Sequence, residues 1–243
     1  MKLINPNENV FFGKQLLKQH VTMSSLRKTS LIAGILYLIT FVSIPTISLY
    51  SSVHDQNYLL NGGPDTATII GGILEIIVAL ASVGSAIALF PVLKKQNESF
   101  ALGLVASRIL EASTMFVGVA FILSVVTLKR AGAGADSMAV SHALVALYDR
   151  IFLLGQSFMP AINDLLLGIL LYQSRLVPRF LSLIGIIGSV PLIAGYFAVM
   201  FGFIGQHDAL SGLAALLVAL FEFSLGIYLV LKGFHVSPSI KNA

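Results

Sequence analysis

The chain has 243 residues, of which 56% belong to the AVILMFWYC set and only 11% are charged, with a formal net charge of +4. Its mean hydropathy is +0.91, whereas a soluble domain carries about 25% charged residues, so a water-coated globule, a disordered chain and a coiled coil are all excluded. With Cys at 0, the composition also excludes a disulfide-stapled domain, a thiolate metal site, a thiol redox pair and a lipid anchor on cysteine.

Residues 1–29 read as a basic extension carrying Lys14, Lys18, Arg27 and Lys28, with the apolar pairs Phe11-Phe12 and Leu16-Leu17. Two readings stand: an amphipathic segment on the membrane surface, or an over-long start with Met23 as the natural first residue. A helix crossing a hydrocarbon core of about 30 Å needs roughly 20 apolar residues. Six stretches meet that length: 30–50, 67–93, 101–128, 151–172, 181–204 and 209–231. The first is longer than a signal-peptide core of about 7–15 residues and lacks a small-x-small cleavage site, so it reads as an uncleaved helix. The expected fold is all-α: one bundle of six transmembrane helices over 30–232, followed by a short tail at 233–243.

Lys and Arg orient the bundle. With the N-terminus inside, the cytoplasmic side collects Lys2, Lys14, Lys18, Arg27, Lys28, Lys94, Lys95, Arg175, Arg179, Lys232 and Lys241, while Lys129 and Arg130 fall outside. Both termini are therefore expected in the cytoplasm. The sequence pI of about 9.4 then reflects membrane-flanking charge, and nucleic acid is not an expected partner. Tyr50, Tyr148, Tyr172 and Tyr228 lie near predicted helix ends, where amphipathic rings favour the headgroup zone. Pro160 and Pro191 fall inside predicted helices and are expected to kink them.

Ionisable residues within the spans carry the functional signal, because each costs about 2.5–3.5 kcal/mol at a helix centre and so faces protein or a cavity. They are Glu75 in the second span, Arg108 and Glu111 in the third, Asp164 in the fourth and Glu222 in the sixth; the first and fifth carry none. Small residues share their faces: Gly71, Glu75, Ala79 and Ser82; Gly103, Ser107, Glu111 and Gly118; Gly212, Ala219, Glu222 and Gly226. Such stripes let helices approach closely and turn the acids inward. Arg108, three residues before Glu111, is expected to be held by Glu111, Asp164 and Glu222, with Glu75 and Asn163 as supporting polar groups. Excess acid over a single arginine points to a cation, amine or proton.

His54, His142 and His207 map to the outer side with Asp55, Asp149 and Asp208 close in sequence. They are the candidates for an open zinc site of the kind an intramembrane hydrolase needs. None has His-x-x-x-His or His-Glu-x-x-His spacing, so neither a metal nor another cofactor is assigned, and no catalytic residue is named.

Three runs taken together carry a resemblance: ALFPVLKKQNESFALGLVASRILEA at 88–112, YQSRLVPRFLSLIGIIG at 172–188 and FEFSLGIYLVLKGF at 221–234. In order and spacing the chain resembles the bacterial membrane proteins grouped as domain of unknown function 4386, over about residues 24–234. The resemblance implies a multi-helix bacterial membrane protein and supplies no site residue. Arg175 and Arg179, which flank Pro178 within the second run, either fix topology or grasp an anionic lipid headgroup.

Three functional readings follow. The first is binding or transport of a small solute, proton or lipid through the buried polar site, with membrane lipid and a second copy of the chain as expected partners. The second is an accessory subunit whose buried charges only specify packing. The third is the metal-dependent hydrolase.

Overall fold

A computed structural model describes residues 25–60 and 63–235. The surface-helix and Met23-start readings of the first 24 residues lie outside them. The described chain is helical: α1 (25–39), a 3₁₀ turn (Thr40–Ser43), α2 (Thr46–Leu49), α3 (Thr66–Leu93), α4 (Glu98–Arg130), α5 (Met138–Phe152), a π-turn (Leu153–Phe158), α6 (Met159–Ser174), α7 (Arg179–Met200) and α8 (Ala209–Leu231). Six segments are long and apolar enough to cross a membrane: Ser25–Val42, α3, α4, Ala135–Ser174, α7 and α8. Large apolar side chains such as Ile73, Leu80, Leu110, Val190 and Leu213 face outward, as a lipid-solvated bundle requires. The chain is a multi-pass membrane protein.

Local chemistry sets the turns. Asn97 caps α4, its side chain accepting from the Phe100 amide at 3.0 Å, so the α3–α4 connection closes within a few residues. Arg175 ends α6 in the left-handed region at φ 55°, and Pro178 starts α7 just beyond. At the first helix, Arg27 donates to the Leu229 carbonyl at 3.0 Å and the Val230 carbonyl at 2.6 Å, satisfying the exposed end of α8. The His235 amide donates to Leu176 O at 2.7 Å. One face of the bundle thus gathers the start of α1, the end of α8 and the α6–α7 turn.

The fourth span departs from the sequence reading. It begins at Met138 rather than 151, so Asp149 and Arg150, just before the expected span, lie inside a helix. The expected disturbance at Pro160 takes a definite form. Proline at the second position of α6 has no amide to give the preceding turn, and the backbone widens there into the π-turn, where Met159 N reaches Leu154 O. Around Pro191, by contrast, α7 runs as one helix.

Small residues set the helix contacts. Gly34 of α1 meets Gly226 of α8, where an added Cβ would lie 2.8 Å from the Gly226 carbonyl oxygen. Gly168 seats α6 on the backbone of α7, and Gly188 seats α7 on α8 at Leu217. Gly212, by contrast, faces open space, so the small-residue stripe of α8 stops packing at its N-terminal end. The tightest fit is in the π-turn, where a Cβ on Gly155 would fall 1.8 Å from Thr114 Oγ1. Gly155→Ala is therefore expected to lower stability by about 1–3 kcal/mol, read as a fall in melting temperature in detergent. Gly212→Ala is the control and should be neutral or stabilising by up to about 1 kcal/mol; equal effects at both positions would refute this account.

Candidate functional site

Five membrane-spanning segments converge on one guanidinium. Arg108 of α4 is 2% exposed. Its Nη1 donates to Glu111 Oε2 at 2.9 Å and to Ser82 Oγ of α3 at 3.0 Å. Its Nη2 donates to Glu222 of α8 and, at 3.3 Å, to the Tyr37 hydroxyl of α1. The Tyr37 ring also lies 5.4 Å from the guanidinium carbon, within cation–π range. Ser82 in turn donates to Glu111 Oε2 at 3.0 Å, and Asn163 Nδ2 of α6 donates to the same oxygen at 2.7 Å. Asn163 is fixed from the other side by Ser107, whose hydroxyl donates to Asn163 Oδ1.

Asp164 is the exception within this network. It is fully buried, and its Oδ1 stands 4.0 Å from Arg108 Nη2, too far for a hydrogen bond. Neither Asp164 oxygen has a hydrogen-bond partner, nor does Arg108 Nε. Glu222 and Glu111 both act on Asp164 electrostatically. Three carboxyl groups therefore face one guanidinium, Glu111 and Asp164 buried and Glu222 part-buried. Charge neutrality there requires two further positive charges, carried as protons or as a bound cation.

Glu75 does not join this site. It lies two helical turns away along α3, 0% exposed, and accepts from Tyr148 Oη at 2.8 Å, Gln156 Nε2 at 3.2 Å and Tyr50 Oη at 3.3 Å. Tyr50 and Tyr148 are correspondingly buried, at 2% and 5% exposed. Glycines make room for their rings: a Cβ on Gly71 would lie 2.5 Å from Tyr50 Cε1, and one on Gly118 would lie 3.2 Å from Tyr148 Cδ2. These glycines seat aromatic rings rather than neighbouring backbones. Tyr37, Tyr50 and Tyr148 are the site residues that sequence reasoning missed. The one signal for Tyr37 was a phenol near the middle of the first span, away from its ends.

The three histidines stay apart. His54 Nε2 pairs with Asp149 Oδ1 at 3.1 Å, and its Nδ1 lies 2.9 Å from Tyr50 O. His142 Nε2 lies 3.0 Å from Gln56 O, and His207 sits in the α7–α8 loop. Among the described residues, no group of three His, Asp or Glu gathers to hold a metal ion. The same end of the bundle is tied by Asp65, which meets Lys129 Nζ and Arg130 Nε at 3.0 Å each and the Tyr58 hydroxyl at 2.9 Å. On the opposite face Arg179 stacks over Tyr172 at 5.0 Å.

Two outcomes follow from this geometry. Arg108→Met strands three buried carboxyls, and breaking a buried pair costs about 3–5 kcal/mol; the variant should melt markedly lower in detergent, and an unchanged melt would refute the network's energetic role. His54 titrates above its usual value of 6.5, raised by the hydrogen bond to Asp149 against the opposing effect of burial. A raised folded-state value stabilises below the unfolded pKa and is lost as pH climbs through the folded one. Melting temperature should therefore fall as pH rises from below about 6.5 through neutrality, by more in the natural chain than in His54→Gln.

Comparison with known proteins adds the family. No curated protein and no solved structure matches the chain. Residues 32–233 match the family described as Domain of unknown function (DUF4386), a stretch that takes in every span from α3 onward and most of α1. The sequence resemblance and this match agree, and the chain belongs to the DUF4386 family.

Proposed function

We propose that this protein sits in the bacterial cytoplasmic membrane with both termini inside and binds, then moves, a proton or small cationic solute at the occluded site of Arg108, Glu111, Asp164 and Glu222. The orientation follows from the basic side chains, since Arg27, Lys28, Lys94, Lys95, Arg175, Arg179 and Lys232 flank the ends of spans on one side. The observation that carries the functional reading is Asp164. A carboxyl that is 0% exposed, takes no hydrogen bond from any N–H group and has two more acids as its neighbours is poorly explained as a packing device. Packing roles are served by fully satisfied polar groups, whereas an unsatisfied buried acid is stabilised by a proton or cation.

One observation favours the accessory reading instead: the Arg108 network joins side chains from α1, α3, α4, α6 and α8, as a helix-locking device would. Asp164→Asn separates the two, because it removes the acid while keeping the shape of the side chain and a group able to hydrogen-bond Glu222. The natural chain, extracted gently from its own membrane, is expected to carry a bound small cation by native mass spectrometry or to take up protons when reconstituted in vesicles holding a pH-sensitive dye. In Asp164→Asn that adduct or uptake should vanish at unchanged melting temperature. Neither signal in the natural chain, with a lowered melt in the variant, would replace this proposal with the accessory one.

A further inference from the structure

A second buried carboxyl lies nearer the opposite face and is separated from the first site by a dry layer. Along α3 the order is Glu75, then Val78 and Ala79, then Ser82; along α4 it is Arg108 and Glu111, then Ala112 and Met115. Val78, Ala79, Ala112 and Met115 pack together as one buried cluster, each at most 4% exposed. Seven residues at 1.5 Å each put Glu75 about 10 Å from the level of Ser82, with this apolar plug between.

On its other side Glu75 is close to water. The Tyr50 and Tyr148 rings meet edge to face at 5.3 Å, with their hydroxyls on the Glu75 carboxyl. The His54 ring lies edge-on to Tyr148 at 6.3 Å. The His54–Asp149 pair is itself part-exposed, with side chains at 32% and 24%. A single layer of aromatic rings therefore separates a buried carboxyl from a surface pair able to exchange protons with solvent. The groups facing Glu75 from the elements packed on it are Tyr50 before α3, Tyr148 of α5 and Gln156 of the π-turn. From α4, Gly118 lies against the Tyr148 ring and Val119 against Gly72. No cation reaches Glu75 among the described residues, so three neutral donors hold a carboxyl with no counter-charge.

We propose that Glu75 is a second proton-binding site, distinct from the Arg108 site, that exchanges protons with the aqueous phase on the His54–Asp149 face across the Tyr50–Tyr148 ring layer. The proton arrives from water at His54 or Asp149 and passes to a Glu75 oxygen, leaving the surface pair in its starting state once it re-equilibrates with solvent. This inference stands independently of what the Arg108 site binds.

The test is infrared difference spectroscopy of the full chain in lipid, scanned in pH and after transfer to deuterated buffer. The expected result is a protonated-carboxyl C=O band that titrates, exchanges with deuterium, is lost in Glu75→Gln and persists in Asp164→Asn. Should Glu75→Gln fail to fold, Tyr148→Phe keeps the ring and removes one donor, and the same band should move to higher frequency. In His54→Gln the band should keep its position while its exchange slows severalfold. A titrating band untouched by Glu75→Gln and Tyr148→Phe, or no titrating band, overturns the site. Unchanged exchange in His54→Gln overturns the route.

Discussion

A single guanidinium in a low-dielectric interior governs this bundle. Left alone, Arg108 would cost several kcal/mol by desolvation; with four hydrogen-bond partners drawn from four different segments, it becomes the point at which α1, α3, α4 and α8 are fixed to one another. The small residues around it are consistent with that role. Gly34 and Gly226 bring α1 against α8, which is what lets a tyrosine from one and a glutamate from the other reach the same arginine. A charge that costs so much to bury is stable only where helices pack closely enough to deliver its partners.

That constraint leaves an imbalance. The arginine can satisfy Glu111 and Glu222, and Ser82 and Asn163 complete Glu111, but the geometry spends no donor on Asp164. Membrane interiors do not hold uncompensated carboxylates cheaply. A sequence under selection for packing alone has inexpensive substitutes at that position, since an asparagine or leucine would remove the cost. An acid that shares one guanidinium with two others and takes no hydrogen bond from it favours a site that is completed by something outside the chain.

Much of this was legible in the sequence. The spans follow from hydropathy, and the pairing of Arg108 with Glu111 follows from helical spacing, because residues three and four apart share a face whatever the tertiary fold. Glu75 was misplaced for the same reason: a face tells which way a side chain points but not at what depth its neighbours stop. Tyr50 and Tyr148 were read as interfacial because tyrosine near a helix end usually is. The structure also gives both hydroxyls a buried acceptor, the Glu75 carboxyl. Met138 to Arg150 escaped the span reading because His142, Tyr148, Asp149 and Arg150 dilute its hydropathy, although as a helix lying against α4 it needs only one apolar face.

The π-turn explains how one segment serves both sites. At about 100° per residue, Tyr148 and Gln156 would stand about 80° apart on an unbroken α-helix, too far round for both to bond one carboxyl oxygen. A π-turn takes up extra chain within a turn, and this one rotates Gln156 back toward the face of Tyr148, so that both donate to Glu75 Oε1. Seven residues further on, Asn163 returns to nearly the same face, now at the depth of Glu111. Gly155 locks the turn against Thr114, whose hydroxyl donates to the Glu111 carbonyl at 2.6 Å. The widened backbone is thus anchored at one end to the Glu75 cluster and at the other to the Arg108 cluster. A change in winding there would rotate Gln156 and Asn163 relative to Tyr148 and so act on both carboxyl sites, though an apolar plug keeps the sites themselves apart.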